Sequence, residues 1–160
     1  MSAFPDAPPH VAGGPVACFD VIGISHSGDV VACALSTVTC GLDLERHDRR
    51  ALDLEGLAAL VFSDAERECW RAQPVACRQT GFLGWWTLKE AWLKARGRRL
   101  DAAAMRSIEA LPVGAGPANA RLWREANFTL ALVGPGPSVP PLIATPTPCS
   151  EAQCWWLRES

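Results

Sequence analysis

Residues 81 to 97, GFLGWWTLKEAWLKARG, constrain the fold of this chain more than any other stretch. At about 100° per residue, Trp85, Leu88, Trp92 and Ala95 fall within an arc of roughly 80°, while Glu90 and Lys94 project from the opposite side, one turn apart. The spacing predicts a helix that buries one face and carries a charged pair on the other. Gly97 is placed to close it in a left-handed conformation, and Arg96, Arg98 and Arg99 complement the negative end of its dipole. A Glu four residues before a Lys is also the commonest stabilising pair on an exposed helix, so by itself this pair reads as solvated surface.

The segments around this helix are short and mostly extended. Val16 to Ile24 and Val30 to Leu35 are dense in β-branched and apolar residues, and Ser25-His-Ser-Gly-Asp29 between them has turn chemistry, which predicts a hairpin. Thr37 to Glu45 is expected to be a strand with Leu42 and Leu44 on one face and Asp43 and Glu45 on the other. Leu52 to Leu60 has helical periodicity, and Ser63-Asp-Ala-Glu66 has the form of a capping box opening a second helix, which makes Glu66 a cap in the first instance. After the long helix, 106–111, 120–124, 128–133 and 153–158 read as strands, separated by Gly and Pro clusters at 112–117 and 134–141 and a Pro/Thr-rich stretch at 144–148. Strands, then helices, then strands predict an α+β fold in which an antiparallel sheet packs against a long helix.

One domain is expected from 160 residues with 49% apolar and 20% charged composition. Within it the pattern separates a lead-in at 1–15, a hairpin segment at 16–36, a main domain at 37–135 and a terminal connection with its strand at 136–160. A net charge of −2 gives no field to gather nucleic acid, and no run of Lys and Arg points to a membrane surface. The seven cysteines are scattered, with no paired or zinc-type spacing, and read as small buried residues of a reducing compartment. No signal-like N-terminus and no apolar run of about 18 residues is present, so a cytoplasmic protein is expected. Of fifteen basic residues only two are Lys, Lys89 and Lys94, both in one nine-residue stretch. A chain that otherwise uses Arg keeps Lys where a compact point charge is wanted.

Two carboxylates on one strand face, as in Gly41-Leu-Asp-Leu-Glu45, stand about 6.6 Å apart along the backbone and can reach one ion, though polar outer strand faces commonly look the same. Ser25-His26-Ser27-Gly28 offers hydroxyls and backbone donors that could hold phosphate, and by itself is more often only a turn. The combination is more specific than its parts. An SHSG turn, a G-[IL]-D-[IL]-E strand, an F-S-x-x-E helix start and a W-[ST]-x-K-E-[AS]-x-x-K helix, in this order over residues 18 to 135, closely resemble the surfactin-synthetase type of 4'-phosphopantetheinyl transferase.

The resemblance implies an enzyme that moves the phosphopantetheine arm of coenzyme A to a serine of an acyl, peptidyl or aryl carrier protein. Asp43, Glu45 and Glu90 would hold Mg2+, which also takes the coenzyme A pyrophosphate. Three carboxylates within about 4 Å repel by roughly 4 kcal/mol per pair at an effective dielectric near 20, so such a cluster wants a cation. An all-oxygen site shared with a pyrophosphate suits Mg2+. Lys94 would neutralise the pyrophosphate, and Glu90 or Glu66 would take the serine proton. Ser25, His26 and, more weakly, Lys89 are the other phosphate contacts implied. The resemblance also implies a first half of on the order of a hundred residues ahead of the SHSG turn, where this chain has 24. Assembly of identical chains to complete the site, a start further upstream, or a degenerate homologue that binds coenzyme A or a carrier protein without turnover would each account for that. A small α+β interaction module with a solvated acidic strand is the reading outside this family.

Overall fold

The computed structural model describes residues 21–48, 53–114, 117–134 and 151–159. The predicted lead-in at 1–15, the strand start at 16–20 and the Pro/Thr-rich stretch at 144–148 lie outside the described residues.

Among the described residues eleven elements follow one another: β1 (Val21–Ser27), β2 (Val30–Ser36), β3 (Gly41–Arg46), α1 (Leu54–Val61), α2 (Asp64–Arg71), α3 (Val75–Ala95), α4 (Ala102–Ser107), β4 (Ile108–Pro112), β5 (Ala120–Arg124), β6 (Phe128–Val133) and β7 (Gln153–Glu159). The predicted α+β class holds: a five-stranded antiparallel sheet in the order β3-β6-β5-β7-β4 packs against α3, and β1 and β2 form a separate antiparallel pair. β7 sits inside the sheet between β5 and β4, so the terminal strand belongs to the same layer as the strands of the main domain.

The hairpin differs from expectation in one way that matters for the site. Ser25, His26 and Ser27 are not a turn; they are the last residues of β1, and the chain reverses at Gly28 and Asp29. Gly28 has φ 61°, a left-handed conformation that glycine adopts at no steric cost. The strand at 37–45 begins only at Gly41. The strand expected from 106 begins at Ile108, because Asp101 caps a preceding helix through hydrogen bonds from the Ala103 and Ala104 amides, and Ala102 to Ala104 propagate it. The capping box of Ser63 and Glu66 is formed as predicted.

The long helix also differs. It starts at Val75, ahead of the predicted residue 81, and from Gly81 to Ala95 it is buried on almost every side, because the sheet covers one flank while α1, α2 and α4 cover others. Over those fifteen positions only Trp86, Glu90 and Lys94 are not buried. They stand at successive four-residue steps, one line down the helix. Its end is closed as expected: Gly97 has φ 61°, its amide donates to Lys94 O and the Arg98 amide donates to Leu93 O.

The larger core lies between α3 and the sheet. Phe62, Trp70, Phe82, Trp85 and Trp155 meet there in tilted and edge-on contacts, with ring centroids 5.2 to 6.3 Å apart. On the other face of the sheet, Leu42, Leu44, Trp123, Leu130 and Leu132 pack with Ala34 of the hairpin. Strand alternation therefore sends Leu42 and Leu44 to the hairpin-side core and turns Asp43 and Glu45 toward α3.

Candidate active site

Asp43 and Glu45 are delivered by β3, the edge strand nearest the part of α3 that carries Glu90 and Lys94. Gly41 makes the approach close enough. A Cβ there would run into the Ala91 carbonyl oxygen and lie 2.5 Å from the Ala95 nitrogen, so only glycine lets the strand and helix backbones touch. One ligand oxygen each from Asp43, Glu45 and Glu90 then lies within 4.8 Å of the others. The expectation of a polar strand face turned to solvent does not hold, since Asp43 is 2% and Glu45 5% exposed.

Burial and proximity leave a clear electrostatic signature. The Glu90 carboxyl is pushed up to about 8, first by loss of solvent, then by the Asp43 charge and a hydrogen bond to it, with Glu45 adding repulsion and Lys94 opposing it. Lys94 Nζ is 2.6 Å from Asp43 Oδ1 and 3.3 Å from Ser25 Oγ. The other Asp43 oxygen, Oδ2, meets no hydrogen-bond donor although it is buried. A buried carboxylate with an unmet oxygen beside two further carboxylates is a donor set that fits a hard divalent cation.

Two serines set these carboxylates in place. Ser25 Oγ donates to Asp43 Oδ1 at 3.1 Å and accepts from the Leu44 amide at 3.1 Å; Ser27 Oγ donates to Glu45 Oε2 and accepts from the Arg46 amide, both at 3.2 Å. Each hydroxyl thus bridges β1 to β3, standing where a backbone ladder would. With the Lys94 contact, Ser25 uses its single donor and both acceptor positions. It holds the carboxylate, and no valence remains for the phosphate contact expected of it. Ser27 is not among the expected contacts, because the sequence reads the pair as part of a turn. The signal was its period: Ser25 and Ser27 repeat every second residue, as Asp43 and Glu45 do.

The other predicted residues are placed elsewhere. Strand alternation turns His26 to the opposite face of β1, where it is exposed and paired across the hairpin with Val31. The structure does not bring it to the carboxylates. Lys89 is wholly buried, and its ammonium donates to Glu66 Oε2 at 2.6 Å, Val61 O at 2.8 Å and Met105 O at 2.9 Å. Burial lowers its pKa, and the Glu66 charge works against that shift. All three of its donors are occupied and none of its surface is open, so the reading of Lys89 as a phosphate contact is corrected. Glu66 accepts from Lys89, the Ser63 amide and the Ala110 amide. It is 5% exposed and absent from the carboxylate group, so it is not placed to take a substrate proton. The pair instead ties the ends of α1 and α4 and the start of α2 to α3.

Comparison with known proteins identifies the family. The family model described as the 4'-phosphopantetheinyl transferase superfamily matches residues 39–137, more than half of the chain. The chain belongs to that superfamily. It is 41% identical over 78 residues to 4'-phosphopantetheinyl transferase HetI of Nostoc sp. (strain PCC 7120 / SAG 25.82 / UTEX 2576), covering 48% of this chain and 32% of the relative. It is 32% identical over 87 residues to 4'-phosphopantetheinyl transferase gsp of Aneurinibacillus migulanus, covering 54% and 35%. The chain thus spans about a third of the length of these curated relatives. The crystal structure of Thermotoga maritima holo-[acyl-carrier-protein] synthase superposes with a TM-score of 0.49 at 23% identity, over 60% of this chain and 61% of the other.

Proposed function

We propose that this chain carries the metal and coenzyme A site of a 4'-phosphopantetheinyl transferase, which moves the phosphopantetheine group of coenzyme A to a serine of an acyl or peptidyl carrier protein. The observation that carries this reading is the convergence of Asp43, Glu45 and Glu90 within 4.8 Å, with Lys94 2.6 Å from Asp43. Asp43, Glu45 and Glu90 would hold Mg2+, which when bound supplies positive charge to the pyrophosphate of coenzyme A.

The side chains then have separable tasks. Lys94, 42% exposed at its side chain, is the ammonium able to reach a phosphate oxygen and offset charge building on the leaving group. Ser25 and Ser27 hold the Asp43 and Glu45 carboxylates at fixed orientation, so little reorganisation accompanies ligand entry. In the transfer, the carrier serine oxygen bonds to the phosphorus bearing the pantetheine arm, and the bond from that phosphorus to the bridging oxygen breaks. Adenosine 3',5'-bisphosphate leaves with the electron pair. Glu90, once without its own proton, is the candidate to accept that of the serine.

His26 stays a proposed phosphate contact, for a coenzyme A that reaches round to the outer face of the hairpin where it is exposed. The carrier protein, acidic in this reading, would dock at the C-terminal end of α3. There Arg96 stacks 3.2 Å above the Trp92 ring, Arg98 pairs with Glu159, and Arg99 is exposed. Assembly of identical chains would cover the outer face of the hairpin, where Ile24, Val31 and Leu35 are exposed. Among the described residues no helix is long and apolar enough to cross a membrane.

The test is incubation of the protein with coenzyme A, Mg2+ and an apo carrier protein, followed by mass spectrometry. Transfer adds about 340 Da, the mass of the phosphopantetheine group. Glu90→Gln and Lys94→Ala should each lower the rate by about a hundredfold or more. Binding of coenzyme A without any transfer would replace the enzyme reading by that of a binding homologue.

A further inference from the structure

Lys94 and Lys89 sit five residues apart on α3, yet their surroundings differ in kind. Lys89 has no exposed side-chain surface and three hydrogen-bond acceptors. Lys94 has 42% of its side chain exposed and two described partners, Asp43 Oδ1 and Ser25 Oγ. Its partner Asp43 is 3% exposed at the side chain and keeps Oδ2 without a donor. A buried carboxylate thus shares one oxygen with a partly exposed ammonium and keeps the other without a donor, beside two further acids.

We infer that Lys94 is a displaceable internal cation: it stands in for the divalent ion at Asp43 in the unliganded protein, and it swings to the polyphosphate when the ion binds. The inference rests on the metal-site reading above. A divalent ion drawn to the three carboxylates meets an ammonium already within 2.6 Å of one of them, and two cations that share one carboxylate repel. The exposed lysine stem gives the ammonium a way out. Among the described residues only Asp43 and Ser25 accept from it, so once displaced it can meet an anion, and in this reading that anion is the pyrophosphate of coenzyme A. Ion binding therefore frees the group that the anion needs, and anion binding removes the group that opposes the ion. By linkage each ligand tightens the other by the same factor.

The experiment measures Mn2+ affinity of the full chain from the electron paramagnetic resonance of the free ion, with and without coenzyme A, for wild type, Lys94→Gln, Lys94→Met and Glu90→Gln. Circular dichroism confirms that the variants fold. Without coenzyme A, both Lys94 variants should bind Mn2+ about fivefold tighter than wild type, the scale of a half-exposed ion pair released from competition. Coenzyme A should tighten Mn2+ binding about tenfold in wild type and by no more than about twofold in the Lys94 variants. The lost gain from coenzyme A is the diagnostic, because simple removal of a positive charge would raise Mn2+ affinity equally in both conditions. Lys94 variants that bind Mn2+ no more tightly than wild type, or that keep the full gain from coenzyme A, overturn the inference while Mn2+ binding lost in Glu90→Gln leaves the metal site standing. No Mn2+ binding by any of the proteins under either condition would overturn both.

Discussion

At the scale of single residues, two acids and two lysines that look alike in the sequence are assigned opposite duties by burial. Glu90 keeps its proton in the folded, metal-free protein up to about pH 8, whereas the unfolded chain releases it near the ordinary value of 4.5. Its contribution to stability is therefore fully present below about pH 4.5 and is lost progressively as pH rises toward about 8. Thermal melts in a chelator at pH 5, 6.5 and 8 should show this fall in wild type, and Glu90→Gln should flatten it. Added Mg2+ must displace the same proton, so it should stabilise wild type more at pH 8 than at pH 6. Lys89 behaves otherwise. Lys89→Ala would strand the Glu66 carboxylate and two carbonyl oxygens in the core, an expected loss of about 3–5 kcal/mol by denaturant titration. Lys89→Met with Glu66→Gln should recover part of that loss, which a phosphate-binding lysine would not do.

At the scale of elements, the site depends on how closely β3 can lie against α3. Gly41 decides that distance, because any side chain would strike the Ala91 carbonyl and the Ala95 nitrogen, both of them backbone that cannot turn aside. Gly41→Ala should leave a folded protein with the helix pushed outward, so that Glu90 no longer meets Asp43. Mn2+ affinity is expected to drop by about tenfold or more, the range seen when ligands lose their positioning partners. Unchanged affinity would mean that the strand and helix can separate without opening the carboxylate group. β1 has a similar influence through hydroxyls alone, since Ser25 and Ser27 join it to β3 and aim its two acids.

At the scale of the molecule, the sheet is closed by a strand from the far end of the chain. β7 pairs with both β4 and β5, Trp155 and Leu157 are buried in the main core, and Asn119 exchanges two hydrogen bonds with Leu157 at 2.7 and 2.8 Å. Deleting residues 153–160 should therefore abolish cooperative unfolding and not merely trim an end, as read by circular dichroism melts. A truncated chain with an unaltered transition would show that the sheet holds without its inserted strand.

Much of this was legible in local pattern. The acid alternation of β3, the capping box of α2, the left-handed Gly97 and the apolar arc of α3 all follow from periods of two or 3.6 residues and from backbone sterics, which act between near neighbours in the chain. Those forces determined that Asp43 and Glu45 share a strand face and that Glu90 and Lys94 share a helix line. They could not determine what lies opposite. Whether a lysine is a solvated charge or a buried tether depends on residues 16 to 28 positions away, and whether SHS is a turn or a strand edge depends on β3 being there to receive its hydroxyls. Only the tertiary structure decided that Lys89 and Glu66 belong to the core, that Lys94 rests on Asp43, and that three carboxylates meet, because desolvation and Coulomb energy are set by distance in space and not by distance along the chain.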